Sequence, residues 1–299
     1  MPRSIVFALF ALVLCQASPA QDRGTRQQAG EHGPRLSGER VMKAYAAAYP
    51  AVERAEYRNG DWAVLLKGRW FYWAEGRLLS EEKRADTGYA RQSFYYYERD
   101  LPPWKEPDAA AAERLKGILP GRRANPPLRD PDFFDTLWEA RNRNEAYANL
   151  TAVSFLGKRF LLHKALVTRL AAVEARIREA AKSDAAIDAW IASLGSIGAW
   201  SWRNVAATAS RSYHSYGVAL DIQPANLRGL ATYWQWTSDA GAEWYLTPYE
   251  RRWHPPQAVI RAFEAYGFCW GGKWLLFDTM HFEYRPEILI ACGMSVEGL

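Results

Sequence analysis

Two short stretches in the last third of the chain, Val218-Ala-Leu-Asp221-Ile222 and Met280-His281-Phe-Glu283-Tyr284, place apolar residues at every second position. That period belongs to a β-strand with one buried face. In the first, Val218, Leu220 and Ile222 point one way and Ala219 and Asp221 the other; in the second, Phe282 and Tyr284 pack behind His281 and Glu283. Gly217 and the run after it argue against one helix carrying both His214 and Asp221, so two stretches joined by a turn fit better. Asp278 lies three residues before His281, on the wrong side of an unbroken strand. A bend at Asp278-Thr279 is required if both are to face one cleft.

The polar faces of these strands carry a chemistry. His214, Asp221, Asp278 and His281 supply two imidazoles and two carboxylates in a chain with only five histidines. A catalytic zinc ion takes three nitrogen or oxygen ligands and keeps a fourth position for water, and a carboxylate beside it serves as base. His214, Asp221 and His281 fit the ligand role and Asp278 the base, which would return its proton to the leaving amine of a cleaved peptide bond. Arg203, a fixed cation with several donors, is the candidate for stabilising charge on the carbonyl oxygen or for holding a substrate carboxylate. Glu283 is placed to orient a ligand from behind. Each has a plainer alternative: a structural His–Asp pair, a turn cap at Asp278, a surface charge at Arg203, and a Glu283–Arg285 ion pair. Of the other histidines, His254 reads as cleft rim or structure, His163 as structure, and His32 as part of a polar lead-in.

Length and composition set the frame for that site. A chain of 299 residues with 49% hydrophobic content forms one large domain or two modest ones. Arg3, the apolar run Ile5 to Cys15 and the small-residue exit Ala17-Ser-Pro-Ala20 read as an export signal over residues 1–20. Leu12-Val-Leu14-Cys15 resembles a lipidation signal, but Leu14 stands where a small residue is wanted, so cleavage after Ala20 is favoured. The expected location is periplasmic or secreted. No later stretch approaches the ~20 apolar residues of a membrane-spanning helix. Cys269 and Cys292 then remain as core thiols or one optional bridge. The formal charge of +5 is spread along the chain, without the basic block of a nucleic-acid binder.

Along the chain, residues 21–37 are a polar lead-in and 38–100 a small α+β accessory unit, with a helix from Gly38 stopped by Pro50 and two strands around Gly68. Residues 101–139 are a proline-rich linker or wrapping arm with a short helical run from Asp108 to Ile118. The catalytic unit takes residues 140–299. There Ala152 to Leu161 reads as a strand, Lys164 to Lys182 as a helix burying Leu166, Leu170, Val173 and Ile177, and Ala185 to Leu194 as a second helix. The 14% aromatic content, including Trp200, Trp202, Trp234, Trp236 and Trp274, is mostly core, with some rings available to line a groove for sugar or peptide.

Four stretches carry a resemblance to a known family: Trp202-Arg203, then Ser212-x-His214-x-x-Gly217-x-Ala219-x-Asp221, then Gly267-Phe-x-Trp-Gly-Gly272-x-Trp274, then Asp278-x-x-His281-Phe-x-Tyr284. In this order they resemble the zinc D-alanyl-D-alanine carboxypeptidases, which include vancomycin-resistance peptidases and endolysins that cut L-alanyl-D-glutamate bonds. The resemblance covers about the last half of the chain. It implies an α+β fold, an antiparallel sheet flanked by helices as in the hedgehog signalling domain. It also implies one zinc ion (Zn2+) on His214, Asp221 and His281, catalysis by Asp278, and substrate or transition-state contact by Arg203 and Ser212. Some members have glutamate at the Asp278 position, and aspartate is more similar to the endolysin branch. The implied partners are peptidoglycan stem peptides, which agrees with the export signal. A wall-binding or signalling module that keeps fold and metal without catalysis is the alternative, and an amidase acting on another amide a third.

Overall fold

The structure, a computed structural model, describes residues 36–299. The export signal, Cys15, His32 and nearly all of the lead-in lie outside the described residues. Ser37 opens the first helix, α1 (Gly38–Ala48), its hydroxyl accepting from the Arg40 N–H at 3.2 Å. Val41, Met42, Tyr45 and Ala48 share the buried face. Four strands follow, β1 (Val52–Arg58), β2 (Asp61–Leu66), β3 (Arg69–Ala74) and β4 (Arg77–Ser80), paired in chain order as an antiparallel meander. The sequence reading around Gly68 recovered only the middle pair. Asn59-Gly60, Lys67-Gly68 and Glu75-Gly76 make the turns, each with two positive φ angles, the two-residue geometry that matches strand twist.

The proline-rich stretch is substantially helical. Asp108 caps α2 (Ala109–Lys116) through Ala111 N–H at 2.7 Å, and α3 (Ile118–Ala124) follows. Leu115 and Leu119 of this pair pack against Trp234, Trp244 and Phe277 in a satellite core. A further helix, α4 (Asp132–Leu137), buries Phe133 and Phe134 in the main core.

The remaining half begins with α5 (Arg143–Ala148) and a hairpin of β5 (Leu150–Phe155) and β6 (Lys158–His163). Sequence periodicity suggested one strand here; Leu156 and Gly157, at φ 48° and 77°, turn the chain back instead. Next come α6 (Val167–Ala181), whose Leu170, Val173 and Ile177 are buried beside Leu166 just before it, and α7 (Ala185–Ala192). The second sheet has the order β7-β8-β10-β9, all antiparallel, from β7 (Leu194–Gly198), β8 (Ala219–Pro224), β9 (Phe268–Trp270) and β10 (His281–Tyr284). Between them lie α8 (Trp234–Asp239) and α9 (Gln257–Ala265), and α10 (Pro286–Ala291) closes the fold. The architecture is α+β, with helices laid on antiparallel sheets. Phe263 of α9 stacks on Phe282 of β10 at 4.0 Å, so α9 covers the apolar back of the sheet and leaves its polar face open.

One hydrophobic cluster takes Val41 from α1, Phe71 from β3, Phe133 from α4 and Phe263, Phe282 and Tyr284 from the last third. The core therefore crosses positions 100 and 139, where composition changes. Cys269 is buried and Cys292 partly so, both free thiols, and Cys292 Sγ accepts from the Tyr97 N–H at 3.1 Å. No helix among the described residues is long and apolar enough to cross a membrane.

α1 meets α10 at a polar contact inside this core, where the Tyr49 hydroxyl donates to Glu287 Oε2 at 2.6 Å. A hydrogen bond to a buried charge is worth about 1.5–3 kcal/mol. Tyr49→Phe should lower the urea-unfolding free energy by that amount; a change within a few tenths of a kcal/mol would show that the contact does not tie the two helices together.

Candidate metal centre

His281 and Asp221 are direct cross-strand partners of β10 and β8, which puts both side chains on the open face. His281 Nδ1 lies 2.9 Å from Asp221 Oδ1. His214 reaches the same point from a single 3-10 turn, Tyr213–Tyr216, whose start Ser212 caps by accepting from the His214 N–H at 3.3 Å. Gly217 ends that turn at φ 70°, with Leu150 and the backbone of His163 packed where a Cβ would stand. His214 Nε2 is 3.2 Å from His281 Nδ1 and 3.2 Å from Asp221 Oδ2.

What surrounds the rings decides which atoms face inward as lone pairs. His214 Nδ1 contacts the carbonyl of Ala199, an acceptor only, so this nitrogen carries the proton and Nε2 is bare. His281 Nε2 faces Glu283 Oε2 at 3.3 Å, so its proton sits there and Nδ1 is bare. Two bare nitrogens and a carboxylate therefore converge, with ligand atoms all within 4.8 Å of one another. Three acceptors facing each other are mutually repulsive unless a cation lies between them. Without one, a ring must take a second proton: burial pushes the His281 imidazole down, but its bonds to Asp221 and Glu283 outweigh that and carry it up to about 10. Burial likewise raises Asp221, and the two histidines more than reverse it, holding its carboxyl far below the usual range. The inner separations of 2.9 to 3.2 Å are close to the ~3.3 Å edge of a tetrahedron with ligands about 2.0–2.1 Å from its centre. The donor set fits a zinc ion.

The required bend before β10 is present. Thr279 and Met280 form a turn closed by His281 N–H to the Asp278 carbonyl at 3.2 Å, and the Trp270 indole donates to the Thr279 carbonyl at 2.7 Å. Asp278 N–H donates to the Gly271 carbonyl at 3.0 Å, and a Cβ on Gly271 would come within 2.5 Å of the Asp278 carbonyl. That close approach accounts for glycine at this point of the Gly271-Gly272 pair. Asp278 Oδ1 is buried without a hydrogen-bond partner, and the side chain lines the same cleft as the histidines. Burial, reinforced by the charges of Asp221 and Glu283 against those of His281 and Arg203, moves its carboxyl up to about 7.

Arg203 is brought alongside by a loop stitched to the histidine turn. Ser215 Oγ accepts from the Arg203 N–H at 3.0 Å, and the Arg203 carbonyl accepts from the Ser212 N–H at 3.1 Å. Its guanidinium lies 3.9 Å from Asp221 Oδ2, and its side chain is 45% exposed, open to a ligand. Ser212 is buried at the cleft wall and spends its hydroxyl on the cap. Glu283 faces His281 with one oxygen and Arg285 Nη1 at 3.3 Å with the other. His163 is structural, its Nδ1 accepting from the Ala165 N–H at 3.2 Å, and burial pushes it down to about 4. His254 is exposed and bonds the Pro255 carbonyl at 3.0 Å. Sequence reasoning did not single out Ala199, which acts through its carbonyl, or Ser215, whose hydroxyl holds the Arg203 backbone. It also passed over Tyr233, which bridges the Asp278 backbone and lines the cleft.

Comparison with known proteins agrees with this geometry. Residues 206–284 match the family described as D-alanyl-D-alanine carboxypeptidase, a peptidase family, and the matched stretch holds Ser212, His214, Asp221, Asp278 and His281. Arg203 lies just before it. Residues 41–99 match a family described only as a domain of unknown function. No curated protein and no solved structure matches the chain.

Because Glu283 fixes the tautomer of His281, Glu283→Gln should weaken zinc binding about 10–100-fold in a chelator competition. Unchanged affinity would mean that His281 is oriented without it.

Proposed function

We propose that this chain is a zinc-dependent peptidase that hydrolyses peptidoglycan stem peptides, as a D-alanyl-D-alanine carboxypeptidase or as an endopeptidase on an L-alanyl-D-glutamate bond or cross-link. The observation that carries the proposal is the arrangement of two imidazoles, each with its outer N–H occupied, turned with Asp221 toward one point beside an unpaired carboxylate oxygen. His214, Asp221 and His281 would hold the ion, and the match over residues 206–284 supports the substrate class. When bound, zinc supplies a Lewis acid for the scissile carbonyl and lowers the pKa of nearby water.

The protein's own groups do the rest. Asp278 Oδ1, bare and buried, accepts the proton of the attacking water and returns it to the leaving amine; a carboxylate near neutral pKa can do both, and a cation beside it offsets part of the rise that burial causes. Arg203 pairs with the developing oxyanion or with a terminal carboxylate of the peptide. The cleft, ≈ 1730 Å³, is larger than a single amino acid needs and suits an extended peptide. An exported protein would meet such peptides outside the cytoplasm, in the periplasm or beyond.

Asp278→Ala should lower turnover of purified muropeptides at least about 100-fold while zinc content stays at the wild-type level. Product masses from the wild type identify the bond cut. Intact substrate in the presence of wild-type protein with its zinc bound would instead favour a wall-binding module.

A further inference from the structure

Several buried or partly buried arginines here have a carboxylate beside them: Arg84 with Asp61, Arg211 with Asp135, Arg261 with Glu264, and Arg285 with Glu287. Arg252 has none but spends two donors on the Thr247 carbonyl and stacks on Phe277. Arg122 and Arg129 are different. Both come from the proline-rich arm, both line the cleft that holds His214 and Asp278, and among the described residues neither has a carboxylate oxygen within ion-pair distance.

Each is held at the wall of that cleft by its own contacts. The Arg122 guanidinium sits over the Trp234 ring at 5.7 Å, and Trp234 follows Tyr233, which bridges Asp278. Arg129 gives its backbone N–H to Ser210 Oγ at 2.9 Å, two residues before Ser212, and its Nε to the Arg91 carbonyl at 3.0 Å. Among the described residues, the terminal nitrogens of both side chains meet no protein acceptor. Burial lowers both guanidinium groups, Arg129 to about 10, and the charge of Arg122 adds to the lowering of Arg129. Such a pair gains most from an anion that arrives with the ligand.

We propose that Arg122 and Arg129 form a second anion subsite in the cleft and bind a substrate carboxylate remote from the scissile bond. Guanidinium forks match the planar carboxylate better than a point charge would. The site selects peptides with an internal acidic group over neutral ones. It lies outside both matched stretches, 41–99 and 206–284, so it belongs to the arm of this chain. The substrate assignment rests on the peptidase reading above; the cation pair does not.

The test uses the full chain and two synthetic stem peptides, one with its internal carboxylates free and one with them amidated. Binding is read by tryptophan fluorescence and cleavage by product mass. Wild type should bind the free form about tenfold or more tightly, as loss of charge-assisted hydrogen bonds implies. R122Q/R129Q should no longer distinguish the two peptides, and R129K, which keeps charge without the fork, should restore part of the preference. Equal affinity of wild type for both peptides, or an undiminished preference in R122Q/R129Q, overturns the subsite. Preference without cleavage of either peptide leaves the subsite standing and removes the peptidase reading; cleavage without preference does the reverse.

Discussion

A fully buried guanidinium ties the candidate metal centre to the rest of the molecule. Arg285 has no exposed surface and lies between Glu283, at 3.3 Å, and Glu287, with the Ser93 carbonyl at 3.2 Å and the Tyr213 ring 4.7 Å away. Burying such a charge costs several kcal/mol, and a buried pair often does no better than an apolar replacement. Its value here is directional. Glu283 is fixed by Arg285 on one oxygen and so presents the other to His281, while Glu287 receives the Tyr49 hydroxyl from α1. The chain from Tyr49 through Glu287, Arg285 and Glu283 to His281 joins the end of the first helix to a candidate metal ligand by four hydrogen bonds.

That linkage explains why the amino-terminal region is not an appendage. α1 and the first meander share a core with the strands of the candidate metal centre, and the segment from Ser93 to Arg99 lies against the loop before Asp278. Tyr97 donates to Glu264 at 2.7 Å and accepts from the Trp270 N–H at 2.9 Å, while Lys273 donates to the Glu98 carbonyl at 3.0 Å. These contacts hold the Gly271-Gly272 corner, and with it the backbone of Asp278. The region with no assigned function is thus part of the support for the candidate base.

The strands that carry Asp221 and His281 were legible because a period of two permits only one sidedness, and burial selects it. The Asp278 bend was legible too, as the only way to reconcile a spacing of three with a shared cleft. Three features were not. Leu156-Gly157 interrupts an apolar run that reads equally well as one strand, and only the partner strand reveals the turn. The arm reads as a linker or a wrapping arm because its prolines break periodicity, and that pattern does not show that Leu115 and Leu119 pack with Trp234, Trp244 and Phe277, or Phe133 and Phe134 with Tyr45, Phe71 and Tyr213. Ala199 acts on His214 through its backbone carbonyl, a contact set by the path of the chain, and the Ser215 hydroxyl accepts from the backbone N–H of Arg203, twelve positions away.

The proposed activity requires His214, Asp221 and His281 to meet at one ion. X-ray absorption at the zinc edge of the purified chain tests this directly. It should show one zinc per chain with only nitrogen and oxygen neighbours at about 2.0–2.2 Å and the outer-shell scattering of two imidazoles. Zinc absent after purification and not retained on reconstitution, or a sulfur neighbour near 2.3 Å from Cys269 or Cys292, would contradict it.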